Sequence, residues 1–421
     1  MHKLILKNMG PIQECEMNID DFTVLTGVQA SGKSTIAKAI FFFRTIKDDI
    51  YDAVIKQSIN SNELSLKNQI LRNLRSKFLQ IFGTSKAMKN NLYMNYRYSN
   101  KTSIEIKLSL PQNMQDIYPN FVYFEFSENI TDFINKFDKY TVDNVAQLKS
   151  ELNILFDDGF ETIFIPAGRS LITLLTMQLN YIFTIMDEEQ KKSIDFCTQK
   201  YIERILKIKP LLDMGICGYM NTKHLTSLDN INKKFAEKCI KIIDEILKGK
   251  YAFQSGEERL ILDNEHYVKI NYTSSGQQET VWIFNIIMYQ LLNNHKTYLI
   301  LEEPEAHLYP DAQNQIVDLL SMFVFAGNNM LLTTHSPYIL GAINNNIYAH
   351  NLSAKNAIDK ISSVINKEKW ISKCAAYFVK YGKISSCLDE DNLVLNEVID
   401  GASEDINRKY DMLLKIEKEN N

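Results

Sequence analysis

No two of the six cysteines (Cys15, Cys197, Cys217, Cys239, Cys374 and Cys387) stand at C-x-x-C spacing, which argues against a zinc ribbon. Six in 421 residues are also too sparse for a disulfide scaffold. The opening MHKLILKNMG lacks the roughly 7–15-residue apolar core of a signal peptide, so a reduced, cytoplasmic protein is expected. Long apolar runs are missing too. The longest uncharged stretches, such as Ser170–Met186, carry Thr, Gln178 and Asn180 and fall short of the ~20 apolar residues that a membrane span needs. With only 15 Gly and 8 Pro, collagen-like, mucin-like and natively unfolded classes are excluded. Nor is one sign of charge in excess: 47 Lys+Arg against 51 Asp+Glu leave −4, so any nucleic-acid contact must be local. What is present is a globular composition long enough for two or three domains at roughly 100–200 residues each.

Residues 4–7 and 22–26 read as strands around the Gly10-Pro11 turn, with an alternating stretch 14–19 between them. The second strand runs into glycine and then into a helix over 34–45. A mostly helical stretch over 46–90, a hairpin over 92–108 and strands at 120–126 and 162–165 follow. The most helical part is 170–208 and 230–248, and a continuous 170–208 helix would reach at most ~57 Å at 1.5 Å per residue. Short strands over 249–271 lead to an α/β series: helix 277–292, strand 297–301, helix 311–325, strand 330–333 and a helix near 337–343. A hairpin around Gly382 and a charged helix near 403–418 end the chain.

Gly27-Val-Gln29-Ala30-Ser31-Gly32-Lys33-Ser34 fits G-x-x-x-x-G-K-[ST] between a strand and a helix. Glycines let the loop curl so that backbone N–H groups face phosphate oxygens, and the helix N-terminus adds its positive dipole end. Lys33 would span the β- and γ-phosphates of ATP, Ser34 would give its hydroxyl to Mg2+, and Thr35 would lie beside the α-phosphate. Downstream, the apolar strand Tyr298–Leu301 ends in Glu302-Glu303, at the edge where an open α/β sheet binds ligands. Glu302 is placed to hold Mg2+ and its water; Glu303 is placed as a general base. Ser274-Ser275-Gly276-Gln277 opens a helix and forms a second anion-binding device, which in a chain with one phosphate loop most naturally serves a nucleotide on another copy. His335, at the end of the next strand, could sense the γ-phosphate.

Together GVQASGKS, SSGQQE, LILEEPEAHLYP and TTHSP resemble the phosphate-loop, signature, Walker B and switch-histidine motifs of ABC-type ATPases. More narrowly they resemble the SMC/RecF/OLD branch and its AAA-15/AAA-21-like bacterial group. That resemblance implies an α/β fold: an ABC-ATPase head, a phosphate-loop sheet with an antiparallel β subdomain, split by a mainly helical insertion. The expected division is 1–50 and 271–421 for the two lobes of the head, 51–160 for a mixed insertion, and 161–270 for a helical arm or lid with strands returning to the head. It also implies an ATP-sandwich homodimer or higher oligomer. Gly27–Thr35, Glu302, Glu303 and His335 of one copy would face Ser275, Gly276 and Gln277 of the other. Glu302 stands where most ABC proteins have Asp, and Gln277 where a second glycine is usual. Arg169, in the strand-end FIPAGR, would lie near the phosphates. Glu305 and His307 could pair on a metal, but their place after Walker B suits an intersubunit contact.

The length and motifs resemble ATPase subunits of antiphage systems of the Septu and PARIS kind, which implies a switch controlling a separate effector such as a nuclease or toxin. A RecF-like, DNA-binding repair ATPase is the alternative. A nuclease of the OLD kind is the third reading, with Asp389 and Asp391 as its D-x-D, although only 86 residues (421 − 335) follow His335.

Overall fold

The alternating amino terminus forms a hairpin, β1 (His2–Met9) and β2 (Ile12–Ile19), with Leu4, Leu6, Cys15 and Met17 on its buried side. The structure, a computed structural model, describes residues 2–59, 65–108, 121–137, 145–191, 194–221, 230–263, 265–353, 358–395 and 407–413. After β3 (Phe22–Gly27) come α1 (Lys33–Arg44), α2 (Ile46–Ile59) and α3 (Leu66–Phe82). Strands β4 (Tyr93–Arg97), β5 (Ser103–Lys107) and β6 (Tyr123–Phe126) precede α4 (Glu128–Phe137), α5 (Val145–Leu155) and β7 (Glu161–Ile165). Helices α6 (Ser170–Ile185), α7 (Glu188–Lys191), α8 (Phe196–Ile208), α9 (Gly215–Met220) and α10 (Asn230–Leu247) lead to β8 (Lys250–Gln254), β9 (Glu257–Ile261) and β10 (Tyr267–Lys269). The last part is α11 (Ser275–Leu292), β11 (Thr297–Glu302), α12 (Pro310–Phe325), β12 (Asn329–Thr333), α13 (Pro337–Ser353), α14 (Ile358–Val364), β13 (Cys374–Lys380) and β14 (Lys383–Ser386). The helix expected near 403–418 lies largely outside the described residues; 407–413 are helical.

Eleven described strands form one sheet in the order β6-β5-β4-β1-β2-β14-β13-β3-β12-β11-β7. Strands β13, β3, β12, β11 and β7 are parallel, and β6, β5, β4, β1 and β2 form an antiparallel half. The mixed α/β architecture is therefore the one expected. All six residues of β11 (TYLILE) are buried, as a parallel strand covered on both faces requires. Leu299 and Leu301 enter one core, with residues of α8, α10, α11, α12 and α13; Tyr298 and Ile300 enter the other, with α1, α2 and α3. Each such side chain contributes about 1.5–3 kcal/mol through burial, so the strand that ends at the two acids is rigidly placed.

The segment 51–160 adds β4, β5 and β6 to the same sheet, and β7, the first strand of 161–270, pairs in parallel with β11. The continuous 170–208 helix does not form. Asp187 accepts the N–H of Gln190 and Asp195 caps α8 by accepting that of Thr198, so each aspartate starts a new helix. Tyr201, Ile205 and Ile208 of α8 then turn onto the β7 side of the core, with Ile163. Strands β8, β9 and β10 form a separate antiparallel sheet under α11, where Tyr251 meets the Trp282 ring edge-on at 5.8 Å.

The far end of α1 is fixed by a buried ionic cluster. Arg44 pairs with Asp158 at 2.8 Å and lies 3.8 Å above the Tyr298 ring, while Lys47 donates to the Asp158 and Phe160 carbonyls. A charge pair this deep is strongly destabilising to break, because the survivor is left unpaired in the core.

Candidate functional site

The C-terminal ends of β3, β12, β11 and β7 share one edge of the sheet, and the motifs lie along it. The loop 28–32 leaves β3 at Gly27, whose φ of +131° and backbone contact with Val379 of β13 leave no room for a Cβ. Gly32, at φ +109°, is pressed against the Ile12 side chain, and Ala30 is also left-handed at +57°. These turns bring the chain round into α1, with Gln29, Ala30 and Ser34 exposed, Thr35 half-buried, and Ser31 and Lys33 buried. The Ser31 hydroxyl oxygen has no partner among the described residues. Lys33 Nζ donates to the carbonyls of Gly27 and Val28, both at 3.0 Å. Burial pulls its pKa below the usual lysine range, against the charges of Glu303 and Glu305.

Glu302, the last residue of β11, is 5% exposed, and its Oε2 accepts the Ala167 N–H at 3.3 Å. Burial raises its pKa, opposed by a hydrogen bond from Ser34. Its Oε1 is buried without a partner among the described residues. Glu303 adopts φ +44°, a conformation that costs a non-glycine residue about 1–2 kcal/mol, and its N–H is held by the Thr333 carbonyl at 3.0 Å. Its carboxylate lies 3.5 Å from His335 Nε2, and His335 Nδ1 lies 3.5 Å from Lys33 Nζ. Glu305 fixes the histidine loop: one carboxylate oxygen accepts from the Thr334 hydroxyl at 2.7 Å and from the His335 N–H at 2.8 Å. Those bonds give Glu305 an intrachain task.

Thus Lys33, Ser34, Glu302, Glu303 and His335 converge. Of Ser275, Gly276 and Gln277, Gly276 packs on the loop after β11. Gly276 is tight against the His307 carbonyl, 2.7 Å from where a Cβ would stand. Ser274 and Gln277 form a reciprocal capping box, and Gln277 Nε2 also donates to the Leu247 carbonyl at 2.6 Å. The Gln277 side chain is therefore engaged within its own chain, and Ser274 and Ser275 are exposed at this helix start.

Arg169, in the turn after β7, is held by backbone beside Glu302 and Glu303. It is fully buried and donates to four carbonyls: Pro166, Glu279, Glu302 and Glu303. Sequence reasoning also missed Lys38, one turn into α1, which pairs with Asp195 at 2.5 Å and joins the phosphate-loop helix to α8. A cleft of about 750 Å3, lined by Lys47, Asp49, Lys77, Glu161, Arg204 and Lys296, lies at the opposite end of the parallel strands. At the D-x-D of the nuclease reading, Asp389 Oδ1 closes a turn by accepting the N–H groups of Asp391 and Leu393, both at 2.9 Å. No described helix is long and apolar enough to cross a membrane.

A phosphate loop between strand and helix, beside a strand tipped with acids, defines a P-loop nucleotide-hydrolysing protein. The chain belongs to the AAA ATPase domain family (AAA_15), which it matches over residues 1–340, and it is an ATPase whose motif order is that of the SMC/RecF-like ABC type. No curated protein matches the sequence. Among solved structures it is similar to an Smc head bound to the C-winged helix domain of ScpA, at 13% identity and TM-score 0.42, over 91% of this chain and 96% of that one. The Smc head with an extended coiled coil, bound to the C-terminal domain of ScpA, from Pyrococcus furiosus matches at 13% identity and TM-score 0.39, over 96% and 99%. The Thermotoga maritima SMC head domain matches at 11% identity and TM-score 0.37, over 91% and 97%.

Proposed function

We propose that the chain hydrolyses ATP between two copies of itself and uses the cycle of closing and opening as a switch. The convergence of Lys33, Glu303 and His335 within 3.5 Å contacts carries this reading. The N–H groups of the loop 27–35 and the Lys33 ammonium hold the phosphates. Glu303 takes the proton of the attacking water, and His335, between Glu303 and Lys33, orients both around the γ-phosphate. The Ser34 hydroxyl and the unpartnered buried oxygen of Glu302 fit a Mg2+ ion, a hard cation that takes oxygen ligands and leaves places for phosphate oxygens. That ion would supply charge neutralisation at the phosphates.

The exposed Ser275 and the N-terminal N–H groups of α11 would meet the nucleotide of the second copy. The motif set supports one further step: a switch in antiphage defence that controls a separate effector, such as a nuclease or toxin. Light-scattering mass with and without ATP tests the pair. Wild type in ATP doubles in mass, whereas Lys33→Ala and Ser275→Arg stay at the single mass; an unchanged wild-type mass overturns the reading.

A further inference from the structure

We propose that Arg169 is a positioning residue that couples the start of α11 to Glu303 of the same chain. This rests on the reading that Ser275 and Glu303 serve different nucleotides. The guanidinium carries five N–H donors in a rigid fork, and here the fork is engaged at both ends. Nη1 donates to the Glu302 carbonyl at 2.6 Å and Nη2 to the Glu303 carbonyl at 2.9 Å. Gripping two successive carbonyls fixes the two peptide planes that flank the Cα of Glu303. That residue sits at φ +44° and needs an external hold.

At the other end Nε donates to the Glu279 carbonyl at 2.9 Å, and the Glu279 carboxylate accepts the N–H groups of Arg169 and Ser170, both at 2.9 Å. Glu279 is 2% exposed and Arg169 is fully buried, so neither can leave its partner without stranding a charge in the core. Glu279 lies four residues after Ser275, about one helical turn, so a shift of the helix start reaches it as a rigid displacement. A second strut runs alongside, where Gly276 rests on the His307 carbonyl of the loop that follows Glu303.

When Ser275 meets an anion, the displacement is therefore delivered to the carbonyl of the hydrolysing residue. Each copy's Glu303 responds to the nucleotide that its own α11 touches, and turnover is cooperative in ATP, with a Hill coefficient above 1 and at most about 2 for two sites.

Arg169→Lys keeps a charge for Glu279 but loses the fork; Glu279→Gln keeps the volume and loses the charge. Turnover against ATP concentration, equilibrium ATP affinity and melting temperature are measured for both. The expected result is ATP affinity within about twofold of wild type, kcat lower on the order of 10- to 100-fold, and a Hill coefficient falling to about 1. A merely structural role would lower the melting temperature and active fraction and leave the Hill coefficient of the active molecules in place. Wild type that is itself non-cooperative, or folded variants with unchanged cooperativity, overturns the coupling. If Arg169→Lys does not fold, Glu279→Gln decides. Ser275→Arg separates the two levels: wild-type turnover in it sinks the two-copy reading, whereas lost turnover in it beside intact cooperativity in Arg169→Lys sinks the coupling alone.

Discussion

On acidification this fold should lose the stability that one imidazole at its amino terminus contributes. His2 is 8% exposed, and its Nδ1 accepts from the Tyr96 hydroxyl at 2.9 Å and from Arg44 at 3.1 Å, while Nε2–H donates to the Asp157 carbonyl at 3.1 Å. Both nitrogens are satisfied only in the neutral ring. Burial, and then the Arg44 charge, lower its pKa from 6.5 to about 4. The folded pKa lies below the unfolded one, so the unfolded chain binds the proton first and stability is lost as pH falls from 6.5 towards 4. A difference of about 2.5 units at 1.36 kcal/mol each bounds the loss at about 3 kcal/mol, of which about 2 kcal/mol is gone by pH 5. Asp48 and Asp244, each pushed up to about 6 by burial, act in the opposite sense, so the quantity to read is wild type minus His2→Gln. Denaturant midpoints at pH 7.5, 6 and 5 supply it, at constant m value. His2→Gln should be less stable at pH 7.5 and close the gap by about 2 kcal/mol at pH 5. Parallel curves over that range would refute the reasoning.

Gly27→Ala should abolish ATP binding and lower the melting temperature, because the added methyl meets the Val379 backbone and the residue must hold φ +131°; an ATP titration and a thermal melt check it. Asp158→Ala should cost about 3–5 kcal/mol in denaturant unfolding by stranding Arg44 and Lys47. Glu305→Ala frees the Thr334–His335 loop and should lower kcat with little change in ATP affinity, read by steady-state turnover beside equilibrium titration.

Local chemistry made the nucleotide edge legible. A phosphate loop needs glycines at set places, and a strand that must be apolar until it reaches its acids announces where it ends. Residues whose work depends on distant chain were not legible. The four carbonyl acceptors of Arg169 come from three segments up to 134 residues away, so its hold on the backbone could not be read from FIPAGR alone. The hairpin of β13 and β14 was visible from Gly382, but its insertion between β3 and β2 was not, since that pairing joins the two ends of the chain. Helix periodicity runs on through Asp187 and Asp195, and only capping geometry shows that the chain restarts there. The bond from Gln277 Nε2 to the Leu247 carbonyl joins segments 30 residues apart and could not be read from SSGQQE alone.

The central claim is that Glu303 activates the water that cleaves ATP bound by Lys33. Single-turnover hydrolysis by Glu303→Gln, with ATP affinity measured on the same sample, tests it most directly. Affinity close to wild type with hydrolysis lower by about 10²–10⁴-fold is the predicted result. Hydrolysis at the wild-type rate would contradict it.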